Sequence, residues 1–249
     1  MLIFDNFLKN CYKVYNEVNM KGKIIVITGI DGTGKETQTK MLFEHLQARG
    51  VKVKMQSFPN YESPSSAPVK AYLQGKIENA KTLSPMQVSS FFLIDFLQTM
   101  LNYQSFLNDG GVLLLDRYTE SNLIHQAGRL KKPTSQIRFA NMLKNLQYNA
   151  LGLPKPDLII CLTMPLETSM DLMQSRTVQK NGGEKDIHEQ DSTHLQTAHR
   201  MCTKFAELEK WTTINCVDEN GKLRERTRIH NNIKNIVDKF LDFGLEKQI

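Results

Sequence analysis

The sequence predicts an α/β fold of three layers, a five-stranded parallel sheet flanked by helices with a short lid, from three observations. Apolar, β-rich runs recur along the 249 residues, helix-length amphipathic segments separate them, and a glycine-rich turn follows the first run directly. A strand joined to the next by a helical crossover re-enters the sheet in the same direction, so such sheets are parallel and covered on both faces. The runs are KIIVIT (23 to 28), VKVKMQSF (51 to 58), GVLLLD (111 to 116), PDLIICLT (156 to 163) and TTINCV (212 to 217).

Between them, apolar residues at helical spacing predict helices over 35 to 49, closed by Gly50, and over 65 to 74, closed by Gly75. Further helices are predicted over 85 to 108, 119 to 150 in two pieces broken near Pro133, 166 to 176, 189 to 209 and 223 to 243. The stretch RTVQKNGGEKD (176 to 186) is polar and carries paired glycines between two helices, which places a lid at about 177 to 187. No internal repeat or linker interrupts residues 21 to 249, so they are expected to form a single domain. Residues 1 to 20 mix Asp5, Lys9, Lys13 and Glu17 into apolar positions; the segment does not read as a signal peptide, and it is an extension of unknown role.

With 40% hydrophobic and 23% charged residues, the composition excludes disordered and collagen-like chains. Cys11, Cys161, Cys202 and Cys216 lack the paired spacing of a zinc site or disulfide frame, and they point to a reducing compartment, the cytoplasm. No apolar run is long enough to span a bilayer. The formal charge of +6 suits an enzyme that draws in polyanionic nucleotides. The basic clusters RLKK (129 to 132) and KLRERTR (222 to 228) lack interleaved aromatics, so no nucleic-acid partner is expected.

The first strand runs into GIDGTGK, Gly29 to Lys35, which fits the phosphate-loop pattern G-x-x-x-x-G-K. In a strand-to-helix context such glycines free backbone N–H groups to encircle phosphate oxygens, and the helix N-terminus adds its positive end. Gly29, Ile30, Asp31, Gly32, Thr33, Gly34 and Lys35 are therefore expected to bind a nucleoside triphosphate in a P-loop NTPase fold, with Lys35 reaching the β- and γ-phosphates. Glu36 stands where the pattern asks for Ser or Thr, with Thr37 beside it. A carboxylate is a hard oxygen ligand that suits Mg²⁺, directly or through water, so Glu36 is either a metal ligand or a solvated side chain. The six histidines include no H-E-x-x-H arrangement, and no guanine-reading N-K-x-D follows a late strand, which counts against a signalling GTPase.

Together with SFPNYESPSS after the second strand, LLLDRYTESNLIHQAG after the third, and the segment around PDLIICLTMPLE, this loop makes residues 22 to 240 resemble the thymidylate kinases of the P-loop nucleoside monophosphate kinase superfamily. The resemblance implies transfer of the ATP γ-phosphoryl group to dTMP with Mg²⁺, by a homodimer packed through long helices, with 86 to 107 as the seam. It makes Asp116 a magnesium-ordering carboxylate, Arg117 the clamp on the acceptor phosphate, and Asp31 a neighbour of the sugar 3′-hydroxyl and the transferred phosphate. Phe58, Pro59 and Tyr61 would line the acceptor pocket, Phe92 would stack on thymine, Ser121 and Gln126 would meet the base, and Arg176 would pack on the donor nucleotide.

The chain departs from that pattern in three places. Phe96 follows Asp95 where many members carry a second phosphate-clamping arginine, and Phe58-Pro59-Asn60-Tyr61 lacks another common arginine. Tyr61, Lys70, Tyr118 and Arg129 are the candidates to compensate. Gly32 fills the loop position where some members place a catalytic arginine, leaving a lid cation, for which Lys185 is the candidate over Arg176 and Lys180. These departures leave room for another acceptor such as dUMP, or for a catalytically weak nucleotide-binding homologue.

Overall fold

The computed structural model describes residues 20–179 and 192–245. Five strands, β1 (Lys23–Gly29), β2 (Val53–Ser57), β3 (Val112–Asp116), β4 (Leu158–Thr163) and β5 (Thr212–Asn215), form one parallel sheet in the order β2-β3-β1-β4-β5. The central strand β1 pairs Ile27 with Asp116 on one side and Thr28 with Cys161 on the other. That register brings the carboxyl ends of β1 and β3 side by side, where open α/β sheets place their ligands.

Side chains alternate across a strand, and the two faces build two cores. Ile24, Val26, Leu113 and Leu115 face a cluster with Phe96, Met100, Leu143 and Phe205, while Ile25, Ile27, Val112 and Leu114 face Leu42, Leu46, Ile233 and Val237. The second face is covered by α1 (Lys35–Ala48) and the C-terminal helix Arg226–Leu245; the first by helices on the intervening crossovers. In chain order these are α2 (Ala67–Leu73), α3 (Pro85–Leu101), α4 (Gln104–Asn108), α5 (Thr119–Gly128), α6 (Pro133–Lys144), α7 (Leu166–Gln179) and α8 (Ser192–Leu208), so the C-terminal helix is α9.

The predicted helices differ from the observed ones at their ends. The segment 85 to 108 is two helices because Asn102 and Tyr103 close α3 with bonds to Thr99 and Met100 three residues back, and the Tyr103 hydroxyl donates to Gln56 Oε1 at 3.0 Å. The segment 65 to 74 starts as a 3₁₀ turn, Pro64–Ser66, before α2. The break near Pro133 stands as predicted, and α6 then widens into a π turn over Asn145–Ala150. Of the proposed lid, 177 to 179 continue α7, and the remainder lies outside the described residues.

At the opposite, amino ends of the strands lies a cavity of about 490 Å³ bordered by Met20, Gly22, Met100, Leu107, Gly152 and Asp157, remote from the glycine-rich loop. No helix among the described residues is long and apolar enough to cross a membrane.

Candidate functional site

The loop between β1 and α1 takes its shape from positions only glycine tolerates. Gly32 has φ +82°, and a Cβ there would come within 2.3 Å of the Ser169 carbonyl oxygen on α7; Gly29 would meet the Leu162 carbonyl at 2.5 Å. The Ser169 hydroxyl donates to the Asp31 carbonyl at 2.8 Å, so α7 clasps the loop from outside. Helix α1 follows Gly34, an N-cap residue with no side chain to cap it, which leaves its first N–H groups to an anion.

Lys35 is 6% exposed, and its ammonium donates to the Ile30 carbonyl at 2.6 Å and lies 3.9 Å from Asp31 Oδ1. Burial, with the positive charge of Arg117 second, lowers it from 10.5 to about 8 despite the pull of Asp31 and Asp116. Thr33 donates to the same Ile30 carbonyl at 2.8 Å. Arg117, the residue after β3, is a non-glycine residue at φ +65°, with its N–H on the Ile27 carbonyl at 3.1 Å. Its guanidinium pairs with Asp31 Oδ1, the oxygen that Lys35 approaches. One carboxylate thus links the loop lysine to the strand-end arginine.

Asp116 is 9% exposed, its Oδ1 has no hydrogen-bond partner, and burial raises its pKa against the opposing pull of Lys35 and Arg117. Thr28 Oγ1, near the end of β1, is likewise buried without a partner. An unpartnered hard oxygen beside a phosphate loop fits Mg²⁺, which takes one or two protein oxygens and fills its other positions with phosphates and water. Among the described residues no group of three or more His, Cys, Asp or Glu could hold a metal by itself. Glu36 is exposed on the first turn of α1, with its charge acting on Asp116 to raise it, while Thr37 is half-buried.

The opposite wall is aromatic. Phe58, whose N–H bonds to the Asp116 carbonyl at 3.0 Å, packs edge-on to Phe96 at 4.9 Å and stacks on Tyr118 at 5.6 Å. Phe96 is 1% exposed, so the position after Asp95 is core, and the Tyr118 hydroxyl donates inward to the Pro154 carbonyl at 3.2 Å. Pro59 follows Phe58 through a cis bond, and Tyr61 is exposed at the lip. Phe92 is half-buried with its ring 6.5 Å from Phe96.

Helix α5 brings Ser121 and Gln126 to the same region. Ser121 Oγ and Gln126 Nε2 are buried without partners, while Gln126 Oε1 accepts from Arg129 at 3.1 Å. Arg129 also donates to the Leu83 carbonyl. The side chain of Arg176, and all of Lys180 and Lys185, lie outside the described residues.

Sequence reasoning missed three residues. Asp95 is fully buried and accepts from the Asn60 N–H and the Ser65 hydroxyl, both at 2.8 Å, fixing the chain beyond Pro59. Asn122, next to Ser121, donates to the Ser89 carbonyl at 3.3 Å and leaves its buried Oδ1 unpartnered. Glu120 is buried beside them: Thr119 donates to its Oε1 at 2.9 Å, its Oε2 has no partner, and burial pushes it up from 4.5 to about 7. A carboxylate one place into a mostly buried helix was the available signal. His125 stacks on His194 with ring centroids 5.3 Å apart. Cys161, Cys202 and Cys216 are buried free thiols, the first two in contact at 3.4 Å; Cys11 lies outside the described residues.

The chain matches the family model described as thymidylate kinase over residues 27–226. It is 31% identical over 220 residues to the thymidylate kinase of Plasmodium falciparum, covering 88% of this chain and 91% of that one. With the thymidylate kinase of Mycobacterium tuberculosis it shares 26% identity over 206 residues, 80% of this chain and 94% of that one. Among solved structures it is similar in fold to the thymidylate kinase of Candida albicans, with a TM-score of 0.63 at 23% identity over 88% of this chain and 92% of that one. The match spans the phosphate loop, the Arg117 turn and the α5 wall alike, and the chain belongs to the thymidylate kinase family of phosphotransferases.

Proposed function

We propose that the chain transfers the γ-phosphoryl group of ATP to dTMP, giving ADP and dTDP. The observation that carries this reading is the shared carboxylate: Lys35 and Arg117 both address Asp31 Oδ1, so a cation for the donor and a cation for the acceptor stand across one short gap. Phosphoryl transfer asks for such positioning and charge neutralisation more than for covalent chemistry.

In this reading the backbone from Gly29 to Thr37 wraps the triphosphate and Lys35 bears on its β- and γ-oxygens. Arg117 releases Asp31 to clamp the acceptor phosphate, a task suited to a planar, permanently charged fork. Asp31 is then positioned toward the sugar hydroxyl and the migrating group. Phe92 stacks on the base, Ser121 and Gln126 offer it their unpartnered polar atoms, and Phe58, Pro59 and Tyr61 form the wall. Asp116 and Glu36 would hold Mg²⁺, which would supply charge neutralisation for the phosphates. Arg176 packs on the donor and Lys185 supplies the lid cation.

The enzyme works as a homodimer in a reducing cytoplasm. Ile94 and Leu101 are 50% and 45% exposed on α3, which supports the seam, and the buried free thiols support the compartment.

ADP release measured with dTMP, dUMP, dCMP and AMP as acceptors tests the proposal. Preference for dTMP is expected; preference for dUMP would reassign the acceptor, and no ADP release with any of them would overturn the kinase reading.

A further inference from the structure

We infer that Lys70 is the second cation for the phosphate group of the acceptor, an assignment that rests on the kinase reading above. The charges already at the junction cancel: Lys35 and Arg117 are positive, Asp31 and Asp116 negative, and the four are mutually in range. A phosphate monoester brings about −1.5 to −2 charges at pH 7, and Arg117 is already paired with Asp31, so a further positive group at the acceptor mouth adds to its hold.

Lys70 is that group. It projects from α2, half-buried, and its ammonium donates to the Tyr61 carbonyl and stands 6.0 Å from the Tyr61 ring centroid. Among the described residues it forms no ion pair, so its charge is not spent on a carboxylate. An ammonium has three donors, and with one on Tyr61 two remain for phosphate oxygens.

The carbonyl that holds it is itself fixed. Tyr61 follows Asn60, whose N–H is gripped by Asp95 at 2.8 Å and whose side chain reaches Thr99 at 3.2 Å. Asn60 in turn follows Phe58-Pro59, tied to Asp116 through the Phe58 N–H. Lys70 therefore hangs from the segment 58 to 61, whose first residue is bonded to Asp116, the neighbour of Arg117. Of the other candidates, Tyr118 points into the core toward Pro154, Arg129 is bonded to Gln126 and the Leu83 carbonyl, and Tyr61 carries no positive charge.

The test compares Lys70→Met and Lys70→Arg with the parent enzyme, using dTMP as substrate and thymidine, which lacks the phosphate, as competing ligand. For Lys70→Met the KM for dTMP should rise about tenfold or more, with the KM for ATP and thymidine inhibition changed less than about twofold. Lys70→Arg should restore most of the loss. Equal weakening of dTMP and thymidine would mean that Lys70 only props the lip, and an unchanged KM for dTMP would mean that it does not meet the phosphate; either overturns the inference, as would Lys70→Arg being as weak as Lys70→Met. Failure of the underlying reading is distinct: the parent enzyme itself would then release no ADP with dTMP.

Discussion

The donor and acceptor halves of the cleft solve opposite problems. Around the loop, four charged side chains, Lys35, Asp31, Asp116 and Arg117, are drawn together and partly buried, each shifting the others. Across the gap, Phe58, Phe96 and Tyr118 form an aromatic block, and the carboxylate of Asp95 is used to pin backbone. The loop side is thus specified by charge and the wall beside it by shape.

The largest effect expected from breaking this contrast is at Lys35. Lys35→Met should lower kcat/KM about a hundredfold to a thousandfold, as removal of a positive group facing a transferring phosphoryl does. The same variant should melt higher in the absence of nucleotide. Between pH 8 and 10.5 the unfolded chain holds the lysine proton and the folded chain does not, so stability rises with pH across that window and the burial cost is fully present below it. Removing the charge should recover up to about 3 kcal/mol near pH 7, read from thermal melts with and without ATP.

On the acceptor side the buried acid behaves with the opposite sign. Glu120 is raised to about 7, so its contribution is fully present below about 4.5 and is lost as pH rises through about 7. Glu120→Gln should therefore flatten the stability profile and gain up to about 3 kcal/mol at pH 8, and a melting curve that still falls between pH 5 and 8 would refute the assignment.

Asp95→Ala should cost about 2 kcal/mol by leaving the Asn60 N–H and Ser65 hydroxyl unpaired, and should raise the KM for dTMP while sparing that for ATP. An equal loss for both substrates would show that the two halves are not separately built. The smallest effect is at Glu36: Glu36→Ser should shift stability by no more than about 0.5 kcal/mol and raise the magnesium needed for half-maximal rate by about two- to threefold.

How much of this could be read in advance follows the same divide. The loop and the five strands were legible because their residues answer to local backbone demands, glycines at positive φ and β-branched runs on a covered sheet. Asp31, Lys35 and Arg117 come together as their motifs imply, since β1 and β3 are neighbours and their ends fall in register. The acceptor wall was less legible because it is assembled from 58 to 61, α3 and α5, and no local pattern shows that Asp95 reaches Asn60 and Ser65 some thirty residues back. Phe96 read as a missing clamp, and its burial between Phe58 and Tyr118 gives it a packing role instead. The helix ends moved for similar reasons, as where Tyr103 reaches Gln56 and interrupts a run whose periodicity continues.

The contact between Gly32 and Ser169 has a consequence for the history of the cleft. Any side chain at position 32 would strike the α7 backbone from a strained conformation, so a lineage that had adopted this clasp could not later acquire a loop arginine by single substitution. Retreat of α7 would have to come first, and that would also break the Ser169 hydroxyl's hold on Asp31. The position is locked by its neighbour.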